Sequence, residues 1–209
     1  MRNVLLLGAS GTLGKAVTEK LLSETDLKLT LFARHATDVY TEGKATVIDG
    51  DATESDTLKD AMVNQDVIVC MVSGEQLPEV AKNIVACMDS LGKRRLIFMG
   101  AVGIYNEIPD VMDGEDNVDN NPDQVPNRKA VDIIEASNLE YTVLRPGYLR
   151  EGQESDYVLS FKGEAANGYI TSIPSLVNLI HHLIEDDNLY RRESVSITKD
   201  MRCFEEIKA

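Results

Sequence analysis

Apolar positions along the chain follow two alternating rhythms. Short unbroken runs rich in Val, Ile and Leu stand at residues 3–7, 27–33, 45–48, 66–71, 95–99 and 141–144. A run that is apolar throughout suits a strand covered on both faces. Between the runs, Leu13-Ala16-Val17-Leu21, Leu58-Ala61-Met62, Val80-Ile84-Val85-Met88 and Ala130-Ile133-Ile134 repeat at the spacing of one buried helical stripe. Strands alternating with helices predict an α/β fold, a Rossmann-like doubly wound parallel sheet. With 209 residues, one domain holds it all. Residues 1–148 form its cofactor-binding core and residues 149–209 a small C-terminal extension on the substrate side. In that extension, strand-like runs at 158–162 and 169–173 precede a helix at 175–185 and a last strand at 194–198.

Residues 105–127 break the rhythm. Glu107, Asp110, Asp113, Glu115, Asp116, Asp119 and Asp123 stand there with three prolines and no basic residue. A long loop is predicted, leaving the C-terminal end of a strand, where open sheets bind ligands. Two readings stand: a loop that shapes a pocket, or a solvated mobile insertion.

The chemistry is concentrated at the first crossover. Gly8-Ala9-Ser10-Gly11-Thr12-Leu13-Gly14 follows the first strand directly and opens onto the first helix. Glycine permits the tight turn at Gly8, admits a pyrophosphate against the backbone near Gly11, and lets helix and sheet pack closely at Gly14. The helix N-terminus then faces the phosphates, and Ser10 offers a hydroxyl. A P-loop is excluded, because five residues separate Gly8 from Gly14 where four are needed, and Ala16 replaces the hydroxyl that would hold magnesium. A nucleophile elbow at Ser10 is excluded by Thr12, where glycine would be required. Beyond Gly14, where an NAD site places an acid for the ribose 2′-hydroxyl, stand Arg34 and His35. A guanidinium suits a 2′-phosphate, so the expected cofactor is NADP, with NADPH preferred over NADH.

Charge and cysteines narrow the partners. A formal net charge of -14 with no basic cluster argues against nucleic acid. The apolar run at residues 4–7 is too short for a signal peptide, and the one at 67–72 falls far below the roughly 20 residues that span a bilayer. Cys70, Cys87 and Cys203 are odd in number and form no C-x-x-C pattern, so neither disulfides nor zinc are expected. His181, His182 and Glu185 lack a further ligand, so no metal is expected. A reducing, cytoplasmic setting follows, with the chain a monomer or homodimer and a small-molecule acceptor as its partner.

Together the glycine turn, Arg34, Gly50-Asp51-Ala52-Thr53 after the third strand and Leu144-Arg145-Pro146-Gly147 after the sixth resemble the atypical short-chain dehydrogenase/reductases. The similarity is to their NAD(P)H-binding, NmrA-like and flavin-reductase-like branch. The resemblance implies that Asp51 and Ala52 contact adenine, that Ser73 and Gly74 line the cofactor, and that Pro146, Gly147 and Tyr148 neighbour the nicotinamide. Taken without the resemblance, Asp51 is equally a helix-flanking acid. The family's usual catalytic serine and Tyr-x-x-x-Lys are not matched: the fifth strand ends Met99-Gly100-Ala101, and Val125 stands four places before Lys129. Lys129 is left to touch ribose hydroxyls or to stand in solvent. Tyr105 and Tyr148 are the phenols left near the expected nicotinamide, as donors or as packing.

Without the phenol, carbonyl reduction loses its acid. A flavin or quinone becomes a stabilised anion that solvent can protonate, so binding and orientation suffice. Two functions follow: an NADPH-dependent oxidoreductase acting on such an acceptor, or a non-catalytic NADP(H)-binding sensor.

Overall fold

The computed structural model describes residues 1–41, 43–112 and 114–201. The leading elements are β1 (Asn3–Leu7), α1 (Thr12–Glu24), β2 (Lys28–Ala33), β3 (Ala45–Asp49), α2 (Ser55–Met62), β4 (Val67–Cys70), α3 (Leu77–Ser90) and β5 (Arg95–Met99). After the acidic segment come α4 (Val125–Glu135), β6 (Glu140–Pro146), β7 (Tyr148–Arg150), β8 (Val158–Phe161), β9 (Ile170–Ser172), α5 (Ile173–Glu185) and β10 (Glu193–Thr198). Eight strands form one sheet in the order β3-β2-β1-β4-β5-β6-β10-β8. Every pairing in it is parallel except that of β8 with β10. Two of the eight strands therefore come from the expected extension, while β7 and β9 form a small parallel pair of their own.

The apolar runs divide between two cores by strand alternation. Leu5, Leu7, Ile68 and Phe98 face α2, α3 and α4, and Val4, Leu6, Val69 and Ile97 face α1 and α5. Parallel strands buried on both faces are the structural meaning of those unbroken runs. No helix among the described residues is long and apolar enough to cross a membrane. Nor do three or more His, Cys, Asp or Glu side chains converge there as a metal site.

The acidic segment is not a solvated insertion. It folds inward through three short 3-10 turns, Asp110–Met112, Gly114–Asp116 and Pro122–Gln124, and α4 starts at Val125, inside the span predicted to be loop. Ile108 and Met112 pack with Val102 and Ala166 in a separate apolar cluster. The Asn117 amide substitutes for a strand neighbour, accepting from the Ile108 N–H at 3.0 Å and donating to the Ile108 carbonyl at 2.8 Å. Glu107 is buried against Arg145, whose side chain is wholly inaccessible. Asp113 of the acidic set, and Cys203, lie outside the described residues. α5 also begins earlier than expected, at Ile173, because Ser172 caps it and Pro174 occupies its first turn.

Candidate active site

The glycine turn is a backbone device. The Gly8 and Ala9 amides both donate to the Phe32 carbonyl, at 2.9 and 3.3 Å, which seats the turn against the end of β2. A side chain at Gly14 would put its Cβ 2.3 Å from the Gly8 carbonyl oxygen, so this position tolerates only glycine. α1 opens at Thr12 with Gly11 as its N-cap, no capping side chain and no acid in its first turn. The first amides of a helix have no carbonyl behind them, and the positive end of the dipole here is uncompensated. An anion completes such a terminus, so the residues present fit a pyrophosphate. The Tyr40 hydroxyl holds the turn from outside, donating to the Ala9 carbonyl at 2.9 Å.

Around this turn lies a cleft of about 540 Å³ lined by Gly8, Ser10, Gly11, Arg34, His35, Asp51, Ala52, Ser73 and Gly74, with Phe32, Glu75 and Gln76. Of the seven residues of the turn motif, Thr12 is exposed at the start of α1, while Leu13 and Gly14 are buried behind the wall. Arg34 follows the last residue of β2, is exposed, and makes no hydrogen bond or ion pair with another described residue. His35 is exposed beside Asp38, 3.9 Å away. Asp51 accepts from the Thr53 amide and hydroxyl at 2.9 and 2.8 Å, and these bonds hold its carboxyl below the usual carboxylate range. From α3, the Asn83 amide donates to the Thr53 carbonyl at 2.8 Å and to the Ala52 carbonyl at 3.3 Å, fixing the turn that lines this end of the cleft.

A second cleft of about 250 Å³ opens farther along the same carboxyl edge, past β5 and β6. Ala101, Val102, Asp116, Gln124, Pro146, Gly147, Tyr148, Leu149 and Tyr169 line it. At Gly147 a Cβ would stand 2.3 Å from the Tyr169 carbonyl oxygen, so glycine lets β6 hand over to the β7–β9 pair. The Gly147 amide donates to Thr171 Oγ1 at 2.9 Å and the Tyr148 amide to the Tyr169 carbonyl at 2.7 Å. The Tyr148 ring is half exposed. The nearby Asp116 carboxylate, partial burial and the charge of Glu115 push its phenol's ionisation upward.

Residues 8–187 match the NAD(P)H-binding family. The chain belongs to that family. It is an NAD(P)H-binding protein of the atypical short-chain dehydrogenase/reductase type. It is 33% identical to a Rossmann-fold NAD(P)-binding family protein from Shigella flexneri, covering 95% of this chain and 94% of that one with a TM-score of 0.82. A short-chain dehydrogenase/reductase from Veillonella parvula, solved in complex with NADP, is 25% identical over 95% of this chain and 94% of that one, with a TM-score of 0.85. ChuY, an anaerobillin reductase from Escherichia coli O157:H7, shares the fold at 21% identity, with 94% of this chain and 97% of that one covered and a TM-score of 0.79. No curated protein matches the chain.

Two of the residues read from the sequence are not brought to either cleft of this NAD(P)H-binding protein. Tyr105 turns away, its hydroxyl 2.7 Å from Glu135 Oε1 and 3.1 Å from Ser194 Oγ. Its ring is drawn in by three cations, with Arg128 and Lys162 at 4.8 Å and Arg145 at 5.0 Å from the centroid. Burial raises the phenol's ionisation well above the ordinary tyrosine range, which fits packing and not proton donation. Lys129 is exposed on α4, whose buried positions are Ala130, Val131 and Ile134. Tyr148 is the phenol that reaches the second cleft.

Sequence reasoning missed the residues that hold these surfaces in place. Arg145 bonds Glu107 of the acidic segment, Ser194 Oγ of β10 at 3.1 Å and the Ser160 carbonyl of β8 at 3.1 Å. Its Arg-Pro-Gly context marked the strand end, but nothing local signals its partners.

Proposed function

We propose that this NAD(P)H-dependent oxidoreductase prefers NADPH to NADH and reduces a small flat acceptor, a flavin or quinone, held in the second cleft. Arg34 carries the cofactor preference. Its guanidinium, with no ion-pair partner among the described residues, stands just past the end of β2 on the wall of the cleft, and no carboxylate stands in its place to receive a ribose 2′-hydroxyl. The Ser10 hydroxyl and the opening amides of α1 would hold the pyrophosphate, with Ser73 and Gly74 guiding the chain of the cofactor toward β5 and β6.

Bound NADPH supplies a hydride. The residues of the second cleft do the rest by position. Apolar Ala101, Val102, Pro146 and Leu149 and the ring of Tyr148 hold a planar acceptor, and Gly147 keeps the wall close. One hydride and one solvent proton convert a quinone to its hydroquinone, so no dedicated acid is needed. The missing family tyrosine and the diversion of Tyr105 support this chemistry over ketone reduction.

The test is NADPH oxidation followed at 340 nm with riboflavin, menadione and an aliphatic aldehyde. Turnover is expected with the flavin or the quinone, faster with NADPH than with NADH. Tight NADPH binding with no turnover on any acceptor would assign a sensor instead.

A further inference from the structure

The second cleft is small, below the roughly 300–1,000 Å³ of pockets for drug-sized ligands, and its polar lining is one-sided. Among the described residues, Asp116 is its only charged side chain, and no Lys, Arg or His lines it. Asp116 is also fixed in place. Its carboxylate accepts from Asn121 Nδ2 at 3.1 Å, and its segment is tied down where the Val118 amide donates to the Gly103 carbonyl at 2.9 Å. Alongside lies a hollow formed by Asp110, Glu115, Asp116, Asn120 and Asn121, so the two cavities share Asp116. Among the described residues, no cation lines either cavity. Arg145 is wholly buried and committed to Glu107, Ser194 and Ser160, and Arg150 lies outside both linings.

We infer that the second cleft selects uncharged planar acceptors and rejects anionic ones through the fixed carboxylate of Asp116, reinforced by Glu115. This rests on the reading of that cleft as the acceptor site. Apolar walls and two tyrosine rings grip a flat ring system, while a phosphate or sulfonate substituent meets like charge with no compensating cation among the described residues. The acceptor class is therefore neutral quinones and the unphosphorylated flavin, in preference to flavin phosphates and carboxylate-bearing pigments.

The experiment uses protein saturated with NADP⁺, which closes the first cleft to flavin. Quenching of flavin fluorescence gives the affinities for riboflavin and FMN, which share one ring and differ by a phosphate. Riboflavin is expected to bind about tenfold more tightly at low salt, a preference that shrinks as salt screens the charge. Asp116→Asn should bring the two affinities within about threefold. Glu115→Gln, at an exposed position, should narrow the gap part-way without disturbing the fold. In turnover, menadione should exceed 1,4-naphthoquinone-2-sulfonate in kcat/KM, and Asp116→Asn should raise the sulfonate's value selectively. Equal affinities, tighter FMN binding, a preference untouched by both substitutions, or no binding of either flavin would each overturn the inference. A riboflavin preference that responds to Asp116→Asn with no NADPH oxidation would uphold the selectivity and sink the oxidoreductase reading instead.

Discussion

The two halves of the sheet's carboxyl edge are built by different means. On the β1–β2–β3–β4 side, the surface is mostly backbone: a glycine turn, uncapped helix amides and one exposed guanidinium, all within short stretches of chain. On the β5–β6 side, the surface depends on a buried charge network. Arg145 joins β6 to Glu107 of the acidic segment, to β8 and to β10, across separations of 38, 15 and 49 residues. One half is left with open helix amides that a phosphate can complete; the other ties its buried guanidinium and carboxylate to each other and presents a shaped, largely apolar wall. Binding a fixed anionic cofactor calls for open donors, and presenting a varied acceptor calls for a rigid frame.

The contrast predicts an ordered series of effects. The largest should come from Arg145→Met, which strands Glu107 as a buried, unpaired carboxylate and should cost about 3–5 kcal/mol in denaturant unfolding. Adding Glu107→Leu should recover most of that loss, because an apolar pair of similar volume replaces the ion pair. A single substitution costing under about 1 kcal/mol would mean that the substrate half is not held this way. Next, Arg34→Ala should weaken NADPH by about 10- to 100-fold, roughly 1.5–3 kcal/mol, and leave NADH nearly unchanged in calorimetric titration. Equal losses for both cofactors would remove the 2′-phosphate assignment. The smallest effect tests where the two designs overlap. Tyr40→Phe deletes the side-chain bond that holds the glycine turn, and should lower stability by about 0.5–1.5 kcal/mol with a few-fold loss of NADPH affinity. Unchanged binding would make the turn self-sufficient.

The same contrast governs what could be read without coordinates. β1, the turn and α1 are legible because each decision is local: an apolar run, glycines at fixed offsets, a helical stripe. The place of Arg34 on the cleft wall is legible for the same reason, since its distance from Gly14 is set by one helix and one strand. Tyr105 was misplaced because its position after β5 says nothing of where its ring points. That direction is decided by Arg128, Arg145 and Lys162, brought together only by the tertiary fold. The acidic segment read as loop from its composition, yet Glu107 and Asn117 are among its most buried side chains. Polarity marks burial wrongly when each polar atom has a partner elsewhere. β7 escaped detection because it has three residues, too few for periodicity, whereas its partner β9 lies within the run read at 169–173.

Strand order also bears on how the polypeptide is made. β8 is joined to the sheet only through β10, which lies between it and β6 yet follows it in sequence. During translation β8 leaves the ribosome before its neighbour exists, and the far edge of β6 waits as well. Until residues 193–198 emerge, the nascent protein carries open strand edges that invite mispairing. Completion of this half is therefore a late folding event, and the wall of the second cleft, tied to Ser194 through Arg145, matures with it.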